Sequence, residues 1–262
     1  MQTKTFTYQS ADIFYRIVGK GKPVVLLHGF AEDGDVWSRQ VEFLKDHFFL
    51  IIPDLPGSGR SELIEDMSME GMAETIHALL AEEKIEQCCM LGHSMGGYIN
   101  LAFAEKYPEK LTAFGLVHSS AFADSEEKKA MRLKAIEFVK KNGAFEFLKA
   151  TIISLFTEQW YEGNRQQVDS IIEKSRNFTD EAIIKYYQAM INRPDRTSVL
   201  KNFNNPILFI IGVHDQAVPF KQSLQQCYVP RRSHIHILRH SAHMGMLEET
   251  SLINNFLLQF LQ

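Results

Sequence analysis

The sequence predicts an α/β fold, a mostly parallel central sheet with helices on both faces and a helical insertion, and three observations carry that expectation. Short apolar runs rich in Val, Ile and Leu recur along the chain, and segments with helical periodicity alternate with them. One long stretch, Asp124 to Asp195, has helical patterning and no convincing strand. The apolar runs are continuous rather than alternating, as in strands buried on both faces of a parallel sheet.

The chain opens with Thr3 to Tyr8 and Asp12 to Ile17, where apolar and polar side chains alternate, so an antiparallel hairpin at the sheet edge is expected. Buried strands are predicted at Pro23 to Leu27, Phe48 to Ile52, Cys88 to Leu91, Leu111 to Val117, Pro206 to Ile211 and His234 to Leu238. Helices are predicted at Val36 to His47, Met69 to Glu83, Met95 to Tyr107, Phe220 to Cys227 and Met246 to Leu261. Within the insertion the first helix starts at Asp124 or Ser125, with Glu127 placed for a capping box, and stops at Asn142-Gly143. The expected division is a core of residues 1–123 and 196–262 with an insertion at 124–195, and neither repeats nor low-complexity tracts are found.

Composition narrows the class. The chain has 262 residues, 45% apolar and 23% charged, which is ordinary for a folded globular protein and excludes disorder. Twenty-eight Lys and Arg against 32 Asp and Glu leave a net charge of −4, so no basic field exists to hold nucleic acid. Cys88 to Ala104 carries no formal charge but contains Gly92, His93, Ser94 and Asn100, and is not a membrane span. The N-terminus lacks an apolar leader, so a cytoplasmic location is expected. Cys88, Cys89 and Cys227 form no metal spacing and read as reduced, buried thiols.

The apolar run Cys88 to Leu91 leads into Gly92-His93-Ser94-Met95-Gly96-Gly97 and then a helical stretch. Strand, G-x-S-x-G, helix is the context in which a serine hydroxyl, weak as a nucleophile at neutral pH, is held exposed on a sharp turn beside a base. A plain glycine-rich turn would need no helix at that point. Asp215 stands at the end of the next-to-last apolar run and His243 at the end of the last, where open α/β sheets build their sites. The separation of 28 positions suffices for one helical crossover, which places both loops at the edge that holds Ser94. In this arrangement His243 takes the proton from Ser94, and Asp215 fixes the imidazole tautomer. Backbone N–H groups of Met95 and Phe30 are the expected donors to the oxyanion.

At these residues the sequence resembles the α/β-hydrolase superfamily over its whole length. The motifs are His28-Gly29-Phe30, Asp54-Leu55-Pro56-Gly57-Ser58-Gly59-Arg60-Ser61, the turn around Ser94, Gly212 to Asp215, and Ser241 to His243. The resemblance implies the α/β-hydrolase fold, a catalytic Ser94, Asp215 and His243, and a helical cap formed by Asp124 to Asp195. A serine at the turn sets the chain apart from members with a carboxylate nucleophile, and no glycine run follows His28-Gly29 as in one lipase subgroup. A small carboxylesterase acting on an ester or related acyl substrate, without cofactor or metal, is the nearest likeness. Carbon–carbon bond hydrolases and lyases share the triad, and a ligand-sensing protein with vestigial turnover is a third reading.

His28, His118, Phe156 and Trp160 are candidate pocket residues, with Tyr161 and Phe178 as further aromatics of the insertion; aromatics at helical spacing also serve plain packing. His234, His236, His240 and His243 cluster in sequence, but no clustered carboxylates complete a ligand set, so no metal is expected. Lys128 to Lys141 is basic with Met131, Ala135 and Phe138 as an apolar stripe. The insertion holds as many acidic as basic residues, which favours a helix with a solvated basic face.

Overall fold

A computed structural model describes all 262 residues. The hairpin consists of β1 (Gln2–Tyr8) and β2 (Ala11–Val18). β3 (Pro23–Leu27) leads through a 3-10 turn into α1 (Ser38–Leu44), β4 (Phe49–Pro53) into α2 (Met69–Glu82), and β5 (Cys88–His93) into α3 (Met95–Lys106). After β6 (Leu111–Val117) come five helices, α4 (Glu126–Asn142), α5 (Ala144–Ile153), α6 (Glu158–Gly163), α7 (Arg165–Lys174) and α8 (Asp180–Asn192). α9 (Thr197–Asn202) returns the chain to β7 (Ile207–Gly212), α10 (Phe220–Cys227) crosses to β8 (Ser233–Leu238), and α11 (Gly245–Glu248) and α12 (Thr250–Leu261) complete it.

The eight strands form one sheet in the order β1-β2-β4-β3-β5-β6-β7-β8. β1 and β2 pair antiparallel, as do β2 and β4, and every later pairing is parallel. Both turn residues of the first hairpin, Gln9 and Ser10, have positive φ (49 and 77), the twist a two-residue hairpin requires. Side chains of the inner strands pack alternately into two cores. In β3, Val24 and Leu26 join the core that includes Leu257 of α12, while Val25 and Leu27 join the core that includes Ile76 of α2. β7 divides the same way, Leu208 and Ile210 against Ile207, Phe209 and Ile211. This two-sided burial is why these strands read as continuous apolar runs.

Three expectations are corrected. β8 is not a buried strand: it has one neighbour, and Ile235 and Ile237 remain 39% and 41% exposed. The single helix expected over Met246 to Leu261 is broken at Glu249, whose carboxylate bonds to the His240 N–H and the Ser241 hydroxyl. The start of α4 is capped by Ser125, which accepts the N–H of Lys128, so Glu127 falls one position short of a capping box. Asp124 is instead occupied by Arg132 and Arg193. On α4 the buried residues are Ile136 and Val139, and Met131 and Phe138 of the apolar stripe face solvent.

Asp54, at the end of β4, is fully buried and joins three segments near the sheet's switch point. Its Oδ1 accepts from Arg16 at 2.7 Å and from the Gly34 N–H at 2.9 Å, and its Oδ2 accepts the Arg60 N–H at 3.0 Å. Truncation leaves the mostly buried Arg16 guanidinium and two amides short of a partner. Asp54→Ala is therefore expected to lower the unfolding free energy by roughly 3 kcal/mol in urea titrations; an unchanged midpoint would show that the carboxylate is dispensable.

Candidate active site

Ser94 is the single residue between β5 and α3, with φ 49 and ψ −115. A side chain in that region costs about 1–3 kcal/mol and persists only where neighbours impose it. Here the Ser94 N–H donates to the Val117 carbonyl at 2.9 Å, and the Ser119 hydroxyl donates to the Ser94 carbonyl at 2.7 Å. Two glycines make the turn sterically possible. A Cβ on Gly92 would lie 2.4 Å from the Gly96 carbonyl, and one on Gly96 would lie 2.5 Å from the His28 carbonyl oxygen. Ser94 is half-buried while His93 and Met95 are fully buried, so the turn presents the serine alone.

Asp215 lies on the turn after β7 and is 3% exposed. Its Oδ1 accepts the N–H groups of Ala217 and Val218, both at 2.9 Å, and its Oδ2 accepts from His243 Nδ1 at 2.8 Å and His118 Nδ1 at 3.2 Å. Burial alone would raise the Asp215 carboxyl, but the His243 and His118 imidazoles outweigh it and hold the group far below the ordinary carboxylate range. A carboxylate only accepts, so His243 donates its Nδ1–H to Asp215.

His243 is held by its own backbone. Its N–H donates to the Leu155 carbonyl, just beyond α5, at 2.9 Å, and its carbonyl accepts from His93 Nε2 at 3.0 Å. Glu248 of α11 accepts the Ala242 N–H at 2.9 Å and both the N–H and hydroxyl of Thr157, at 2.8 and 2.9 Å. The rings of His93 and His243 lie 4.9 Å apart, which brings His243 beside the residue preceding Ser94.

The expected oxyanion donors are both without backbone partners. The Phe30 N–H bonds to no acceptor in the chain, and Met95 opens α3, where no carbonyl four residues earlier serves it. The Gly29 N–H, in contrast, is taken by Glu32 Oε2 at 2.6 Å. A Cβ on Gly29 would meet Ser94 Cβ at 3.1 Å, so this loop packs directly on the serine.

The pocket candidates separate. His28 is fully buried and absent from the cavity walls, because its Nε2 accepts the Leu55 N–H at 2.8 Å and its Nδ1 bonds the Gly29 carbonyl at 2.9 Å. His118 also lies behind the wall, against Asp215. Phe156 lines a small apolar pocket of about 20 Å³ with Phe30, Leu148 and Ile152. Trp160 stacks on Phe156 at 4.9 Å without reaching either cavity, while Phe178 lines a larger cavity of about 400 Å³. That cavity runs between the loop after β3 and α7, and it shares Ala31, Glu32 and Met244 with the small pocket. Arg39 bonds Gln167 at 3.0 Å and Lys174 pairs with Asp35 at 2.9 Å across it. The four sequence-clustered histidines also separate: His234 and His236 lie against Phe260 and Phe256 on α12, His240 is exposed, and His243 alone is buried.

Two neighbours of the site, Glu32 and His93, escaped the sequence reading. Their signal was faint: an acid inside the glycine loop, and the variable position of the serine motif.

Residues 22–145 match the family model described as alpha/beta hydrolase fold, and with this sheet order and serine turn the chain has the α/β-hydrolase fold. RutD of Agrobacterium fabrum, which bears the name of a carbamate hydrolase, is 25% identical over 261 residues, covering 95% of this chain and 97% of its own. An esterase from Thermogutta terrifontis, solved with malate bound, superposes with a TM-score of 0.93 at 27% identity, covering 100% and 98% of the two chains. The enol-lactonase of Burkholderia xenovorans LB400 shares the fold, with a TM-score of 0.91 at 21% identity over 98% and 99%.

Burial pushes the His118 imidazole down to about 4 despite the pull of Asp215, so it is neutral at pH 7 and its Nε2 is buried without a partner. The unfolded chain protonates this histidine near pH 6.5. Between that value and about 4 the unfolded state binds the extra proton, and the histidine's contribution weighs against the fold as pH falls. Urea midpoints at pH 7 and pH 5 should therefore differ more for the native protein than for His118→Gln; equal differences would mean that His118 carries a charge in the fold.

Proposed function

We propose that the protein is a serine hydrolase that cleaves a carboxylic ester or related acyl bond of a small substrate through Ser94, His243 and Asp215. The observation that carries this reading is the 2.8 Å bond from His243 to a buried Asp215, together with a serine on a strained, half-buried turn whose preceding residue, His93, bonds the His243 carbonyl at 3.0 Å. The likenesses to a protein named as a carbamate hydrolase and to one solved as an esterase support an acyl bond as the target.

In this mechanism His243 Nε2 accepts the Ser94 proton as the oxygen attacks the carbonyl. The N–H groups of Phe30 and Met95 receive the developing oxyanion, and Asp215 stabilises the imidazolium. The proton then passes to the leaving group, giving an acyl-enzyme on Ser94, and His243 activates water for its hydrolysis. Each step is assigned to the chain's own residues.

Residues 124–195 act as the cap in this reading. They supply α7 and Phe178 to the larger cavity and Leu148 and Phe156 to the small pocket, and they contact the His243 loop through Leu155 and Thr157. The cavity of about 400 Å³ is lined by neither Ser94 nor His243 but reaches Met244 beside His243, and its volume suits a small organic substrate.

The test is release of p-nitrophenol from esters of graded chain length. Native turnover should fall by on the order of 10⁴-fold in Ser94→Ala, and fluorophosphonate should label the native protein alone; retained labelling of the variant would remove Ser94 from the nucleophile's role. Phe156→Ala enlarges the small apolar pocket and should shift the chain-length optimum upward. An unmoved optimum would place the acyl chain elsewhere.

A further inference from the structure

Glu32 lies three residues beyond Gly29, in the loop that carries Phe30. Its Oε2 accepts two hydrogen bonds, from the Gly29 N–H at 2.6 Å and from His93 Nδ1 at 2.9 Å. The other ring nitrogen of His93, Nε2, donates to the His243 carbonyl at 3.0 Å. A carbonyl oxygen only accepts, so Nε2 carries a proton; with Glu32 ionised its carboxylate also only accepts, and the ring is then an imidazolium. The side chains are 0% and 8% exposed, which makes this a buried ion pair. Burial opposes charge on each partner, but their mutual attraction prevails, holding the His93 ring above the ordinary histidine value and Glu32 below the ordinary glutamate value.

We propose that Glu32 and His93 are positioning residues, a buried carboxylate–imidazolium pair that holds the Phe30 N–H and His243 in register with Ser94. The inference rests on the catalytic reading of Ser94 and His243 given above. Three segments distant in sequence meet at the pair: the loop after β3 through the Gly29 N–H, the serine turn through His93 itself, and the loop before α11 through the His243 carbonyl. Neither residue touches the reacting atoms. Charge balance matters as much as geometry, because a lone carboxylate bonded to Gly29 would repel an oxyanion forming at the next N–H along the chain, and the imidazolium cancels it. The other ionisable groups around the pair are His28, Asp215, His118 and His243. The last two lie 6.0 and 4.9 Å from the His93 ring, centre to centre. With His118 neutral and Asp215 ionised, the attraction of Asp215 adds to that of Glu32.

Two measurements test the proposal. Ring ¹⁵N shifts of the native protein, assigned by their loss in His93→Asn, should show both His93 nitrogens protonated at pH 7; a neutral ring would overturn the pair without reference to catalysis. In ester turnover, His93→Asn leaves a buried unpaired carboxylate and should lower kcat by roughly 10²-fold with little change in KM. Glu32→Gln should cost about tenfold, and the double variant should regain activity over His93→Asn because no lone charge remains. Native kcat should decline at alkaline pH as His93 loses its proton, a limb missing from the double variant. Strictly additive losses, or the same alkaline limb in both proteins, would reduce the pair to a structural clamp. A charged His93 in a protein without Ser94-dependent turnover would instead overturn the catalytic reading, and the positioning role with it.

Discussion

The backbone of Ser94 is the constraint on which the rest of the site depends. A left-handed residue between a strand and a helix is unfavourable in isolation, so the surrounding structure must over-determine it. β5 lies inside the sheet with β3 and β6 on its two sides, which fixes the point where the turn begins. Gly92 and Gly96 then let the start of α3 fold back against β5 and the end of β3, closer than any side chain would allow. The same approach leaves the Met95 N–H at a helix start and brings the Gly29-Phe30 loop against the serine. One strained dihedral pair therefore organises the serine and the two N–H groups proposed to receive the oxyanion.

Electrostatics arranges what surrounds it. Three histidines, His93, His118 and His243, meet within about 6 Å and face different partners. His118 shares the Asp215 carboxylate but is fully desolvated, and it stays neutral. His93 faces Glu32 on one side and a carbonyl on the other, and it is charged. Between them His243 donates its Nδ1–H to Asp215. Two buried carboxylates thus remain ionised, each beside an imidazole that compensates its lost hydration.

The helices between β6 and β7 matter through contacts local to the His243 loop. The Leu155 carbonyl holds the His243 N–H, and Thr157 shares Glu248 with Ala242. Displacement of this segment would remove a wall of the cavity and release the backbone of His243 together. Pocket shape and imidazole position are consequently coupled mechanically, through hydrogen bonds rather than through the sheet.

The sequence by itself determined the order of strands and helices, the two-sided burial of the inner strands, and the convergence of Asp215 with His243. Each follows from local physics, namely continuous apolar runs for strands flanked on both faces and loop residues at the ends of parallel strands. The strained turn was legible too, because glycine spacing records a close backbone approach. Tertiary structure alone decided that β8 is an exposed edge, that His28 is tied to the Leu55 N–H behind the wall, and that Met131 and Phe138 face solvent while Ile136 and Val139 pack inward. It also decided the pairing of Glu32 with His93 and the second histidine on Asp215. These outcomes depend on which loops meet in space and which strand has a neighbour on each side, and a linear pattern of side chains records the chemistry of a loop without recording its neighbours.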